Sequence, residues 1–300
     1  MLELWLYLAI LSAILFALKD ILSKKLLGRY DVSPSQLTFE QHFVAGIIIL
    51  LFFLPFIDYT LFYQELYLFI LKSIFLSFVS VLYLSLLKEF DISLVTPLLN
   101  LSPLFLLILS SLFLGEKISF LQMIGILVIM FGTYLLEITK HHHRAKIPHK
   151  LHIKHLLSKP PVFFFKITLA LVCMSFVAIL DKTIFNTGVN VYTNIYFTSL
   201  LIFIIISIYF VKQKCFINIC KKSFQQPQTL SIGFISVLDM FAVLSAISQP
   251  GALVSLIIPL RRTSTLFSAL FGGLLFHEQH LCKKLFAAGV MIGGVVLIVI

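Results

Sequence analysis

Apolar runs close to the ~20 residues that an α-helix needs to cross a bilayer recur along the chain. They fall at roughly 3 to 22, 36 to 56, 66 to 87, 92 to 114, 119 to 138, 162 to 181, 191 to 211, 229 to 248, 252 to 276 and 283 to 300. Polar punctuation separates them: Asp58 before the third, Lys88-Glu89-Phe90-Asp91 before the fourth, Gly115-Glu116-Lys117 before the fifth, and Gln249-Pro250-Gly251 before the ninth. The pattern predicts an all-α membrane protein of ten helices in two sets of five. The longest polar gap, Lys140 to Pro161, is basic and rich in His. It divides the chain into 1–139 (helices one to five), a linker over 140–161, and 162–300 (helices six to ten).

The two sets share a written segment. Ser93 to Leu136 lies over Ser255 to Ile298 without a gap, at a constant offset that pairs Ser93 with Ser255, Pro97 with Pro259, Ser102 with Ser264, Phe105 with Phe267, Glu116 with Glu278 and Gly132 with Gly294. Leu-rich helices resemble one another by chance, so the weight rests on the Pro, Ser, Glu and Gly matches. A weaker alignment of Lys25, Ser33, Gln36 and Phe39 with Lys182, Asn190, Thr193 and Tyr196 extends the repeat to the first helices. Each copy holds an odd number of helices, so the second enters the membrane from the opposite side. The halves are expected to be inverted repeats around a central cavity, an architecture suited to carriers.

Composition agrees with a lipid solvent: 60% hydrophobic residues, 31 Phe and 12% charged residues in 300, with a mean hydropathy of +1.05, exceed what soluble cores of this size hide. Nothing before the first run reads as a removable signal peptide, because a charged start and a small-residue cleavage site are both missing. Cys173, Cys215, Cys220 and Cys282 are scattered without metal-ligand spacing. No cofactor or metal is expected.

The net charge of +10 is a topology signal. Outside the helices, all Lys and Arg except Lys117 and Lys182 fall in loops after odd-numbered helices. The positive-inside rule then puts those loops and the linker in the cytoplasm and both termini outside. The basic residues contact anionic headgroups, with no nucleic-acid partner expected. A bacterial inner membrane fits this arrangement, and the oligomeric state is left open.

The pattern of Pro, a polar residue, an apolar run ending in an acidic turn, and a helix with Gly at fixed spacings is carried in the first copy by Pro97, Pro103, Gly115-Glu116-Lys117, Gln122, Gly125 and Gly132. In the second it is Pro259, Thr265, His277-Glu278, Ala287 and Gly294. It resembles the EamA-type unit of the drug/metabolite transporter superfamily, which implies ten helices and transport by alternating access. The resemblance also implies a basic loop between helices two and three and cytoplasmic termini. Here that loop (FIDYTLFYQEL) has no Lys or Arg, and the chain is read as sitting the other way up.

Candidate chemistry follows from residues that apolar helices do not tolerate. Arg261 and Arg262 lie nine to ten positions into helix nine, ~15 Å along it at 1.5 Å per residue. Each guanidinium at the midplane costs about 2.5–3.5 kcal/mol on insertion scales, so both must face a partner or a wet cavity. The first copy has Leu99 and Asn100 at those positions, which predicts Asn100 across the axis from Arg262. Asp239 is the deepest carboxylate and the expected counter-ion, with Asp20, Asp181 and Glu40 as further candidates. If one Arg pairs with it, the other, with Lys72 or Lys182, leaves surplus positive charge for an anion. Asp239, Glu40 or His42 could carry a coupling proton.

The helix-nine dipeptide is also similar to that of sugar-phosphate carriers in the superfamily, a likeness confined to Arg261 and Arg262. Pro97 and Pro259 remove a backbone donor each and clash with the carbonyls of Ser93 and Ser255. Those four residues are expected hinges, the Ser hydroxyls answering the freed backbone groups. Glu116 and Glu278 are expected to cap the helix that follows each. Gly289 and Gly293 have the spacing for close helix contact within the monomer, and Phe163 to Phe165 are expected to meet lipid.

The functional expectation is a secondary transporter for a small phosphorylated or carboxylated metabolite. A proton-coupled exporter of amino acids or amphiphilic compounds is the alternative. A polytopic enzyme acting on lipid-linked substrates is disfavoured, because no HExxH, GxSxG, P-loop or acidic metal cluster is written in the chain.

Overall fold

The structure is a computed structural model that describes residues 4–29, 34–89, 95, 98–141, 161–212, 227–267 and 281–299. Ser93, Pro97, His277, Glu278, most of the linker and the side chains of Asp20 and Glu40 lie outside the described residues.

Eleven α-helices make up the described fold: α1 (Leu4–Arg29), α2 (Pro34–Phe53), α3 (Tyr59–Gln64), α4 (Leu66–Glu89), α5 (Ser102–Leu114), α6 (Phe120–His141), α7 (Pro161–Asn186), α8 (Val191–Lys212), α9 (Pro227–Ser248), α10 (Val254–Arg261) and α11 (Leu281–Val299). The helix not foreseen is α3. The segment between α2 and α4 folds into a 3₁₀ turn, Leu54–Phe56, and a six-residue helix capped by Asp58, whose carboxylate accepts the Leu61 amide at 3.0 Å. Phe62 of α3 stacks on Phe197 of α8 with ring centroids 3.5 Å apart.

Polarity is arranged inside out. Leu51, Phe52, Leu112, Phe120, Phe165 and Phe286 are exposed, whereas Lys72, Asp181, Asp239 and Ser12 are buried. In lipid this is the favourable arrangement, since apolar side chains lose nothing by facing acyl tails and charges gain by pairing inside. Pro161–Asn186, Val191–Ile208 and Ser231–Ser248 are long and apolar enough to cross a membrane, and shorter apolar helices include Leu4–Lys19, Leu66–Ser80 and Phe120–Leu135. Phe163 departs from the lipid-facing expectation: it is fully buried, while Phe165 is exposed.

The helices pack in matching sets. α1 lies on α9 and α10, and α7 lies on α4 and α5; α2 lies on α8 and α9, and α8 on α4 as well as α2. α6 crosses α11 at their glycines. A Cβ on Gly294 would meet the Gly125 carbonyl at 2.8 Å, and one on Gly132 would meet the Ala287 carbonyl at 3.1 Å. Gly132 and Gly294 are equivalent in the repeat, as are Gly125 and Ala287, so the two contacts are one contact seen from either copy. Gly289 and Gly293, expected to make the close approach, have open space where a side chain would go. Their spacing places them on the outer face of α11.

Neither of the two long runs that hold the repeated Pro is one continuous helix. Between Leu99 and Ser102 the chain turns at Asn100 and Leu101, and after Arg261 it turns at Arg262 and Thr263. The tight bonds at the breaks correspond atom for atom. In the first copy Leu101 N–H donates to Leu98 O at 3.1 Å and Leu104 N–H to Leu101 O at 3.0 Å; in the second Thr263 N–H donates to Leu260 O at 3.0 Å and Leu266 N–H to Thr263 O at 2.9 Å. Such i→i+3 turns tighten a helix end and leave some carbonyls without helical donors. In a membrane that backbone is tolerated where it lines a cavity or is buried in protein.

Candidate substrate site

Pro259 sits inside α10 and lacks the amide that would bond Ser255 O, and two residues later the helix ends. Arg261 is its last residue and Arg262 its C-cap, so both guanidinium groups leave from a helix C-terminus, where positive charge is favoured. Ser102 opens α5 at the facing break. Around these two broken ends lies a cavity of about 240 Å³, lined at one level by Arg261, Arg262, Ser102, Ser175 and Ser264 and elsewhere mainly by apolar side chains.

Asp239 of α9 is fully buried and takes three partners. Arg261 Nη2 donates to Oδ2 at 2.7 Å, Lys19 Nζ to Oδ2 at 3.3 Å and Ser12 Oγ to Oδ1 at 2.7 Å. The Arg261 guanidinium and the Lys19 ammonium both lie near the Phe16 ring, 4.7 and 4.3 Å from its centroid. Arg261 keeps a quarter of its side chain exposed, and its Nε is a buried donor with no acceptor among the described residues. Arg262 turns to the first copy instead, with Nη1 3.4 Å from Asn100 Oδ1 and Nη2 2.7 Å from Ser102 Oγ.

Lys72 joins neither group. Its ammonium is 2.5 Å from Asp181 Oδ1 and donates to Asn194 Oδ1 at 2.7 Å and Thr198 Oγ1 at 3.0 Å; Asn194 Nδ2 donates to Asp181 Oδ1 at 3.1 Å. Asp181, a candidate counter-ion for the arginines, is instead the counter-ion of Lys72, and it lines the cavity. Lys182 is one helical position on and points away. It donates to Ile247 O at 2.9 Å and Gln249 O at 3.3 Å, closing the C-terminus of α9. His42 of α2 has a buried Nδ1 that makes no hydrogen bond.

The carboxylate of Glu116 does not cap the helix that follows it. Ser119 and Gln122 form a capping box there, Gln122 N–H donating to Ser119 Oγ at 3.2 Å and Ser119 N–H to Gln122 Oε1 at 3.0 Å. Glu116 reaches the other copy: Val254 N–H donates to Oε1 at 2.7 Å, and Ser255 N–H to Oε2 at 3.1 Å. The Ser255 hydroxyl also donates to Oε2, so that hydroxyl serves the Glu116 contact rather than the carbonyl freed by Pro259. Gly115 makes the geometry possible. Its φ of 65° ends α5 in a left-handed turn, with its amide on Ser110 O, and swings the next side chain toward α10.

Ser12, Ser102, Ser175, Asn194 and Thr198 are site residues that sequence reasoning passed over. Their signal was faint: single small polar residues in apolar helices, with only Asn194 and Thr198 spaced to share a helix face.

Residues 3–138 match the family model described as the EamA-like transporter family. That family belongs to the drug/metabolite transporter superfamily. The EamA-like family is one of membrane transporters, and the apolar helices of this chain fit an integral membrane protein. No curated protein matches the sequence. A solved crystal structure of a protein superposes on this chain with a TM-score of 0.74, covering 99% of this chain and 98% of its own at 13% identity. That likeness concerns the fold alone.

Proposed function

We propose that this EamA-like protein is a secondary active transporter that carries a small organic anion by alternating access. Its two five-helix halves are inverted repeats, their junction is the cavity at the broken helices, and its membrane is the bacterial inner membrane with the basic loops and linker in the cytoplasm. The carrying observation is the state of Arg261. It lines the cavity, spends one nitrogen on Asp239 and keeps a buried donor without an acceptor. Around it, among the described residues, the cations of Lys19, Arg261 and Lys72 share the carboxylates of Asp239 and Asp181, three cations on two carboxylates. A carboxylate or phosphate matches the planar fork of Arg.

Substrate and Asp239 are then alternative partners for Arg261. When the guanidinium turns to a bound anion, Asp239 is left with Lys19 and Ser12, and its carboxylate is the place for a coupling proton. Asn100 and Ser102 hold Arg262 at the axis between the halves. Lys72 acts through Asp181 by neutralising it, and Lys182 by closing α9 away from the cavity. Pro259 with Ser255, and Pro97 with Ser93 in the other copy, are the bending points.

Purified protein in liposomes tests this reading. Labelled organic anions should cross the bilayer chemically unchanged, and Arg262→Gln should reduce their uptake at least tenfold while the protein still inserts and remains monodisperse. Equal uptake by the variant would remove Arg262 from the site.

A further inference from the structure

We infer that the anion this site takes is amphiphilic, an acidic head on an apolar body, rather than a polyhydroxylated phosphate. The inference rests on the anion reading above and adds what the remainder of the ligand must be. Apart from Asp181, the polar side chains that line the cavity are Ser102, Ser175, Arg261, Arg262 and Ser264. Arg262 is bonded to Ser102, and the Ser175 hydroxyl reaches Ser102 O at 3.3 Å, which sets the guanidinium level with Ser175 of α7. Asp181 lies six residues further along α7, ~9 Å at 1.5 Å per residue, and it is already committed to Lys72 and Asn194. Between those levels the wall is Val177 and Ala178 of α7, faced by Leu76 and Val79 of α4 and by Val243 and Leu244 of α9.

The two hydroxyls nearest that wall are each partly engaged within the protein, Ser102 as acceptor and Ser175 as donor. Ser102 Oγ accepts from Arg262, and Ser175 Oγ donates to Leu171 O at 2.9 Å. A sugar body would enter this wall with its hydroxyls stripped of water and few partners to replace it, at about tenfold or more in affinity for each unmatched group. An alkyl or aryl body loses nothing there. Each methylene that leaves water for such a wall tightens binding about fourfold. The same cationic end that selects the head therefore leaves the chain length of the body to decide affinity.

Calorimetric titration of the wild-type protein in lipid nanodiscs tests this, with Arg262→Gln nanodiscs as the background for partition into lipid. The probes are acetate, butanoate, hexanoate, phenylpropanoate, glycerol phosphate and a hexose phosphate, with hexylamine and hexanol as head-group controls. Affinity should rise about a hundredfold or more from acetate to hexanoate. Hexanoate and phenylpropanoate should bind at least tenfold tighter than the hexose phosphate, and the amine and alcohol should not bind. Leu244→Asn should flatten the chain-length series while leaving acetate unchanged, and Val79→Thr, nearly isosteric, gives the same reading if the first variant does not fold. A hexose phosphate binding as tightly as hexanoate, or a flat wild-type series, overturns the amphiphile and leaves the anion site standing. Absence of binding by every anion overturns both.

Discussion

Asn100 and Arg262 occupy equivalent positions in two copies of one segment, and they touch: the Arg262 Nη1 lies 3.4 Å from the Asn100 Oδ1. A residue meets its own counterpart only near the axis that relates the copies. The same holds for the crossing of α6 and α11, where Gly125 faces Gly294 and Gly132 faces Ala287. The two broken helices thus meet at Asn100 and Arg262, and divergence at that position makes one side of the meeting point cationic and the other a neutral amide.

The crossing gives the plainest stability test. Gly294→Ala places a Cβ 2.8 Å from the Gly125 carbonyl and 2.7 Å from the Ile129 side chain, so backbone must shift, a cost of about 1–3 kcal/mol for overpacking. Gly289→Ala and Gly293→Ala meet nothing within 4 Å and gain helix propensity, up to about 1 kcal/mol. Thermal unfolding in detergent should lower the midpoint for Gly294→Ala and keep or raise it for the other two. The reverse order would mean that the helices cross elsewhere.

Glu116 ties the end of α5 to the start of α10 across the two halves. Glu116→Ala strands the buried amides of Val254 and Ser255, at about 1–3 kcal/mol for each unsatisfied group. Glu116→Gln keeps one acceptor oxygen and should lose less. The melting midpoint should fall in the order wild type, Gln, Ala. Identical midpoints for wild type and the Ala variant would show that this contact adds nothing to the fold.

Asp239 has two cationic partners, and each of them has only it among the described ion pairs. Asp239→Asn leaves Arg261 and Lys19 without a counter-charge, and breaking a buried pair costs about 3–5 kcal/mol. Arg261→Gln leaves Asp239 with Lys19 and Ser12 and should cost less. A thermal-stability comparison of the two variants in the same detergent decides between a shared carboxylate and two independent pairs: equal losses would argue for a simple Arg261–Asp239 pair.

Lys72 and Asp181 form a closed set with Asn194 and Thr198. Lys72→Met alone buries an uncompensated carboxylate, again at about 3–5 kcal/mol, whereas Lys72→Met combined with Asp181→Asn removes both charges. The double variant should be more stable than the single one. Additive losses in the double-mutant cycle would mean that the two residues do not interact.

Much of the architecture was legible in the chain itself. Apolar runs near bilayer length give helices because lipid offers the backbone no other hydrogen-bond partner, and the constant register between Ser93–Leu136 and Ser255–Ile298 reveals the duplication. Arg261, Arg262 and Asp239 stood out because charge is costly in an apolar helix. The interruption at Arg262 did not show, since hydrophobicity is the same for one straight helix and two short ones. Partnership did not show either: Asp181, a candidate counter-ion for the arginines, is bonded to Lys72, and neighbouring Lys182 points elsewhere because successive helical residues point about 100° apart.

What the sequence determined by itself is therefore periodic or compositional: the apolar runs that become helices, the register between Ser93–Leu136 and Ser255–Ile298, and the identity of the charges inside those runs. What only the tertiary structure decided is partnership. Whether Glu116 caps its own helix or one 138 positions away, which glycines meet, and which carboxylate neutralises which cation all depend on helix rotation and crossing. Those are fixed by packing summed over many apolar contacts, each too weak and too alike to be read from any single residue.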